Sequence, residues 1–258
     1  MNKLYEENDI QAIANAIRSK NGSSDTYTVA QMGTAISNIP SGGGGFPANT
    51  KFAYNDSSVF NTLIPQIASV SSQYTDMSYL FYHSSGLTSV DMTDWDTSNV
   101  TAMNQMFGSC SSLQSANLSG LDTSSVVSFD SMFNGCGSLS SVNLRNWVLD
   151  NSLNLNFYRM FYGCSNLTSI DLSSWTDNTS LSGYVIPYNI SGMFQGCTNL
   201  QTLDLSSLSL SSATTYSNMF GSSSSNRIPA NCLIYVELGS YSWIMNNFSW
   251  LTNVQVVY

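Results

Sequence analysis

The chain has 258 residues, of which 42% are hydrophobic and 12% aromatic, so it holds enough apolar material for a folded core. Only 9% of the residues are charged, and 16 acidic side chains outnumber 7 basic ones. No Lys or Arg lies between Lys51 and Arg145, which excludes nucleic acids and anionic membranes as partners because both bind clustered cations. No apolar run reaches the ~18 residues of a membrane span. The N-terminus also lacks the apolar stretch of a signal peptide, so we expect synthesis in the cytoplasm.

Residues 1–40 predict two short amphipathic helices. The first ends at Asn21 and Gly22, and the second begins at Thr28 with Gln31 as its capping-box partner. Two such helices bury too little to be stable alone, and a Gly-rich flexible linker follows at 41–47. We therefore predict an attachment or oligomerisation module, with a helical cap as the alternative. Its contact residues would be Ile10, Ile13, Ile17, Val29, Met32 and Ile36.

The same region resembles a known module. The segments DIQAIANAIRSKNG at 9–22, YTVAQM at 27–32 and ISNI at 36–39 resemble an N-terminal module of structural proteins from phages of Gram-positive bacteria. The resemblance implies a virion attachment segment and no chemistry. Residues 48–75 show no repeat, and we predict that their apolar side chains cap the open end of the array that follows.

Residues 76–226 predict about six stacked repeats. The stretch 106–113 reads MFGSCSSL, and its Phe recurs at positions 81, 107, 133, 161, 194 and 220, with spacings of 26, 26, 28, 33 and 26 residues. A period of this size is typical of stacked repeat units. The insertion that lengthens the fourth spacing is expected to bulge from the array.

Each repeat continues with an LxxVxL pattern, for example LTSVDM at 87–92. Alternation along such a strand sends aliphatic side chains inward and Asp or Asn outward, and successive strands should pair in register as one parallel sheet. A Thr-Ser segment follows, which we expect to cap a helical turn that carries Val100 and Met103 inward.

These motifs resemble the BspA-like family of bacterial leucine-rich repeats, with its MFxGCxxLxxLDLSxWDTSxVxxM pattern. The resemblance implies an α/β repeat solenoid with a parallel sheet on one face. The second repeat departs from the pattern, with Ser109 in place of Gly and Gly120 in place of Trp. Residues 227–258 predict a strand, a short helix and a strand that cap the C-terminal end. The alternative is an aromatic binding patch of Trp243, Trp250 and Tyr258.

No catalytic constellation is apparent, so we predict a protein that is not an enzyme and has no cofactor. His83 is the one histidine, and the five cysteines show no metal-binding spacing, which favours buried, reduced thiols. A glycan-active enzyme remains a weak alternative, because no carboxylate pair can be located from sequence.

The outward Asp and Asn residues are the best candidate site. Their interpretation stays open between a solvated or hydrogen-bonded polar ladder, a carbohydrate or protein contact, and a weak calcium site. No metal ligand is assigned on this evidence. The candidates are Asp91, Asn117, Asn143, Asp171 and Asp204.

The sequence leads to one functional hypothesis and an alternative. We predict a phage virion protein, a tail or head fibre that attaches to other virion proteins through residues 1–40 and presents its repeats to a host surface glycan or protein. The alternative is a bacterial BspA-like surface adhesin or protein-interaction module. A homo-oligomer is expected, with a trimer as a guess from the habits of phage fibres.

Overall fold

A computed structural model describes residues 71–177, 184–222 and 226–257, together with residues 60, 64, 65, 67 and 68. The predicted module at 1–40, the linker at 41–47 and most of the predicted cap at 48–75 lie outside these residues. Within the described ranges, no helix combines the length and apolarity needed to cross a bilayer.

Short parallel strands recur along the described chain. Strands β1 to β9 are Ser89–Asp91, Ser115–Asn117, Ser141–Asn143, Val148–Leu149, Ser169–Asp171, Thr176–Asp177, Thr202–Asp204, Leu233–Val236 and Val254–Val256. They form three sheets in the orders β1-β2-β3, β4-β6 and β5-β7-β8-β9, and every pairing is parallel. Parallel strands that pair between successive repeats are the arrangement that the repeat pattern predicted.

The expectation of one continuous sheet is wrong at a single place. Strands β3 and β5 belong to different sheets, whereas β4 and β6, just after them in the chain, do pair. A second row of parallel bridges continues through this region, joining Ser128 to Asn156 and Asn156 to Asn189. Neighbouring repeats therefore stay in contact, although the strand face is divided between β3 and β5.

The Met-Phe positions build the core. The six phenylalanines of the motif are fully buried and stack face to face, with centroid distances from 5.2 to 6.1 Å. Trp147 and Trp175 stack beside them at 5.3 Å. Burial of large apolar side chains is the main stabilising term in such a fold, so this stack makes each repeat depend on its neighbours.

The cysteines also link successive repeats. The Cys110 thiol donates to the carbonyl of Phe81 at 2.9 Å, and the Cys136 thiol donates to the carbonyl of Phe107 at 3.0 Å. Cys164 and Cys197 repeat this bond one and two repeats further on. All five thiols are free and buried, as the sequence predicted.

The segment after each strand is a tight turn where a helical turn was expected. The Asp96 carboxylate accepts hydrogen bonds from the backbone N–H and the hydroxyl of Ser98, at 3.1 and 2.6 Å. Thr97 is buried and donates its hydroxyl to the next repeat. Val100 and Met103 are buried as predicted.

Between residues 76 and 222 the described chain contains no α-helix, because side-chain hydrogen bonds to the local backbone compete with helix formation.

The turn around each Met-Phe pair requires left-handed backbone at two positions. The residue before the pair has positive φ, as at Gln105 (49°) and Asn218 (56°). The second residue after the pair also has positive φ, as at Ser109 (59°) and Gly135 (77°). Glycine is the residue that adopts this conformation without strain, which explains why the pattern usually has Gly before Cys.

The C-terminal residues form the predicted strand, helix and strand. Helix α1 spans Leu238–Asn247 between β8 and β9, and β9 pairs with β8. The Glu237 carboxylate caps α1, because it accepts hydrogen bonds from the backbone N–H of Gly239 and from the Ser240 hydroxyl. The Ser240 hydroxyl oxygen in turn accepts a hydrogen bond from the backbone N–H of Leu210, which begins the 3-10 helix Leu210–Ser212. These bonds fix the helix to the last repeat.

Candidate functional site

The outward side chains of strands β1, β2, β3, β5 and β7 form what we call the strand face. The first outward row consists of Ser89, Ser115, Ser141, Ser169 and Thr202. The second row holds the five candidates predicted from sequence, each at the last position of its strand: Asp91, Asn117, Asn143, Asp171 and Asp204. In register, Asp91 lies opposite Asn117, Asn117 opposite Asn143, and Asp171 opposite Asp204.

In the first sheet the second row is hydrogen-bonded. The Asn143 side-chain amide donates to the Asn117 side-chain oxygen at 2.9 Å, and the Asn117 amide donates to Asp91 Oδ1 at 3.3 Å. The polar ladder that the sequence left as one interpretation is therefore present among these three residues. It orients their side chains across three strands.

Each aspartate of the row also closes its own turn. Asp91 Oδ1 accepts from the backbone and hydroxyl of Thr93, at 3.0 and 2.9 Å, and the backbone bond is the main cause that lowers the pKa of Asp91. The Ser173 hydroxyl donates to Asp171 at 2.6 Å and is the main cause that lowers the pKa of Asp171. The ionised form of both carboxylates is thus favoured.

Arg145 spans the division between the two sheets. Its guanidinium lies 3.5 Å from Asp171 Oδ2, and the two side chains are 66% and 46% exposed. A pair this exposed contributes little stability. It does, however, place one cation on a face otherwise made of hydroxyl, amide and carboxylate groups.

The strand face contains two adjoining shallow depressions. One has a volume of about 350 Å³ and lies over β1, β2 and β3, with Val90, Ala116 and Val142 at mid-strand. The other has a volume of about 240 Å³ and lies over the division, between Asn143, Arg145 and Asp171. The floor of the larger depression is strand backbone, because Val90 and Ala116 are only 5% and 3% exposed, and hydrogen-bonding side chains stand on both sides of it.

The titratable and nucleophilic side chains of the described residues do not gather on this face. They contain no group of three or more His, Cys, Asp or Glu side chains that could hold a metal ion. The thiols lie inside the core, where burial raises the pKa of Cys110 and of Cys197 to about 12. His83 lies on an exposed turn, and no carboxylate or hydroxyl is hydrogen-bonded to its ring in the described contacts.

The alternative aromatic patch at the C-terminus is largely packed away. Trp243 is partly buried and makes edge contacts with Tyr216 and Phe248, at 4.9 and 5.8 Å. Trp250 lies against the guanidinium of Arg227 at 4.8 Å. Both tryptophans thus pack against neighbouring side chains, and the C-terminal cap stays a prediction. Tyr258 and the six predicted attachment residues between Ile10 and Ile36 lie outside the described residues.

Sequence reasoning missed the serine row and Arg145. Each residue of the first row lies two positions before the outward Asp or Asn of its strand. Because side chains alternate between the two faces of a strand, the sequence was sufficient to find these serines. Arg145 follows Leu144 directly after β3, and only the division of the sheet brings it to Asp171.

Comparisons with known proteins agree with the repeat geometry. Residues 130–241 match, in six copies, the family described as BspA type Leucine rich repeat region. A BspA-type region is found in this chain. Residues 75–184 match a second family, described as Mycoplasma protein of unknown function, DUF285, and this match overlaps the BspA-type region from 130 to 184. A search of curated proteins gave no match. The phage resemblance of the N-terminal segments is not shown by these comparisons.

One solved structure with a likeness to the chain is the crystal structure of a TLR13–ssRNA13 complex. The identity is 13% and the TM-score 0.24, and the alignment covers 90% of this chain and 31% of the other. A likeness this weak carries no argument about ligand or function.

Proposed function

We propose that this chain is a non-enzymatic interaction module whose repeats form a solenoid and whose strand face binds a partner protein. The observation that supports the proposal most directly is the pair of adjoining depressions over β1 to β5, where two rows of polar side chains flank the mid-strand backbone. Leucine-rich repeats are typically interaction scaffolds, and the BspA-type match agrees with that role.

The chemistry of the face fits a protein loop or strand better than a small molecule. The depressions are shallow, whereas small-molecule sites enclose most of their ligand. Protein interfaces carry about one hydrogen bond per 100–200 Å², and groups that form them must lie on an open surface. The hydrogen-bonded ladder from Asn143 to Asp91 supplies such groups already oriented, which reduces the entropy lost on binding.

A site-specific cross-link tests this proposal. A photoreactive benzoylphenylalanine at Ser115, in the middle of the larger depression, should form an adduct with one defined protein in the native host cells. Ser141→Trp should fill the depression and abolish the adduct. A matched probe at Ser152, on an exposed turn away from both depressions, should give none. Equal adducts at both positions, or none at Ser115, would refute the proposal.

The place where the module acts is a further part of the proposal. The BspA-type region favours a surface location, and we propose display on a bacterial cell. The phage virion remains an alternative, motivated by the segments at 9–39 and by the linker at 41–47. Deletion of residues 1–45, followed by mass spectrometry of purified particles, distinguishes the two. If the particles contain the full chain but lack the truncated chain, the phage virion is the correct location.

The non-enzymatic part has its own test. The purified full chain should release no reducing sugar from bacterial surface polysaccharide. Hydrolysis of the polysaccharide that persists through repeated purification would overturn this part of the proposal. It would favour the alternative of a glycan-active enzyme.

A further inference from the structure

The turns around the Met-Phe motifs form a second outward surface, which we call the turn ridge. Two of its repeats carry aromatic clusters, and Tyr82 and Tyr162 occupy the same position of their turns. In the first cluster, Tyr82 makes edge contacts with Tyr79 and His83, at centroid distances of 5.4 and 4.2 Å. In the second cluster, the Arg159 guanidinium lies 4.9 Å from the Tyr158 ring and 5.0 Å from the Tyr162 ring. Tyr79, His83 and Arg159 are exposed.

Three of these side chains occupy backbone that favours glycine. Tyr79, His83 and Arg159 have φ values of 62°, 60° and 49°. The repeat that contains Met193 has Gly192 at the position of Arg159. The repeat that contains Met132 has Gly135 at the position of His83. Left-handed backbone is unfavourable for bulky residues, and such positions cluster at binding sites. Large side chains have thus been placed where folding alone would prefer glycine.

The two clusters flank a stretch of small residues. The turns of the two intervening repeats carry Gly108, Ser109, Asn134 and Gly135. The Tyr82 ring lies so close over Gly108 that an added Cβ would be 2.9 Å from it. One repeat step measures 5.2 to 5.5 Å between the buried Phe rings, close to the length of one sugar residue in an extended glycan. The ridge thus offers two aromatic ends separated by two intervening turns, and the step between turns matches that of a sugar chain.

The charge on the ridge indicates the class of sugar. Of the arginines in the described part of the chain, Arg145 pairs with Asp171, and Arg227 is half-buried against Trp250. Arg159 is exposed and forms no ion pair with the described residues, although Asp130 lies on the preceding turn. The Arg159 guanidinium contacts both tyrosine rings, and the planar N–H groups of an arginine suit two parallel hydrogen bonds to a carboxylate.

We propose that the turn ridge binds an extended oligosaccharide that carries carboxylates. Sugar faces stack on the tyrosines of both clusters, and one carboxylate contacts Arg159. Tyrosine suits this role because it offers a rigid apolar face with a polar tip. The site is separate from the strand face and takes a different class of ligand, so it goes beyond the proposed function.

Calorimetric titration of the full chain tests the proposal with defined probes. The acidic probes are the tetrasaccharides of galacturonate, mannuronate and hyaluronan, and the comparison probes are cellotetraose and tetraglutamate. At least one acidic tetrasaccharide should bind at least tenfold more tightly than either comparison probe. Failure of all three acidic sugars, or equal binding of cellotetraose or tetraglutamate, would overturn the proposal.

Glycine variants separate binding from folding. Arg159→Gly should reduce the affinity for the bound sugar at least tenfold, while the melting temperature stays equal or rises, because Gly192 shows that this turn accepts glycine. Tyr79→Gly should behave in the same direction. Asn218→Gly changes the same turn position away from both clusters and should leave affinity unchanged. Wild-type affinity in Arg159→Gly, or an equal loss in Asn218→Gly, would contradict the assignment.

Discussion

The two halves of the strand face differ although the core beneath them does not. Over β1, β2 and β3, where the Phe spacing is 26 residues, three outward side chains form a hydrogen-bonded ladder. Beyond the division, where the spacings are 28 and 33, Asp171 and Asp204 lie opposite each other without an amide between them. The phenylalanine stack runs through both halves.

The core is continuous at every repeat length, whereas strand pairing is lost at one of the two longer repeats. Repeat length alone does not decide this loss, because β5 and β7 pair in register across the 33-residue spacing. The ladder ends for a second reason, since Asp171 and Asp204 are both acceptors and neither supplies the amide donor that Asn117 and Asn143 provide.

The largest effect is expected from the core, and it should be equal in the two halves. Phe133→Ala and Phe161→Ala, on either side of the division, should each lower the free energy of unfolding by about 3–5 kcal/mol, because each leaves a cavity in a fully buried stack. Urea denaturation measures both. Val127→Ala, at a 36% exposed position, is the control and should cost less than about 1 kcal/mol. A much smaller loss for Phe161→Ala would show that the stack is interrupted.

The thiols provide the next comparison, because they are buried in both halves. Burial raises the pKa of Cys136 well above its usual value and that of Cys197 to about 12. A raised pKa means that the neutral thiol is favoured in the folded state. This contribution is complete below the ordinary thiol pKa of about 9 and is lost as the pH rises above it.

Alkylation by iodoacetamide should therefore be slow at pH 8 and fast only after denaturation, with mass spectrometry as the readout. Thermal stability should fall between pH 9 and pH 11. Rapid labelling of Cys136 in the native chain would contradict its buried position, and labelling of Cys197 alone would mark the second half as less stable.

A smaller effect should separate the two halves directly. In a double-mutant cycle, Asn117→Ala and Asn143→Ala should be coupled by about 0.5–1 kcal/mol, because their amides are hydrogen-bonded to each other. The same cycle for Asp171→Ala and Asp204→Ala should show no favourable coupling, since like charges on adjacent strands repel. Urea denaturation of the single and double variants measures both. Favourable coupling of the aspartate pair would indicate that a cation binds between them.

The smallest effect is expected at the division itself. Arg145→Ala should cost no more than about 0.5 kcal/mol at pH 7, because the ion pair with Asp171 is exposed. The lowered pKa of Asp171 means that its contribution is present above the ordinary carboxylate pKa of 3.8 and lost as the pH falls below it. The urea midpoint of Asp171→Asn should therefore differ from that of the wild type at pH 7, and the two midpoints should become equal near pH 2.5. A constant difference at both pH values would show that charge is not the cause.

Much of the fold could be predicted because the pattern repeats. The Met, Phe, Cys and Leu positions of each motif are buried, and the LxxVxL segments place Val90 inward and Asp91 outward. When one residue type recurs at the same position of successive repeats, each copy indicates the same structural environment. This redundancy made the core and the row of candidate residues visible without a structure.

The remainder depended on events that do not repeat. The division between β3 and β5 follows a change in spacing of only two residues, whose effect on strand pairing has no sequence signature. The expected helical turn at 97–103 was wrong because Asp96 accepts a local hydrogen bond from Ser98 and Thr97 donates its hydroxyl to the next repeat. The aromatic clusters of the turn ridge lie at positions that other repeats fill with small residues, so the shared pattern hides them.

Four cysteine thiols donate to the Phe carbonyl of the preceding repeat, so four successive units are each joined to the unit before by the same pair of atoms. A tandem duplication of 26 residues, for example 107–132, would therefore recreate all of these bonds at both new junctions. Recombination within the gene could lengthen or shorten the array in one step, and each added unit would bring one new serine and one new Asp or Asn to the surface.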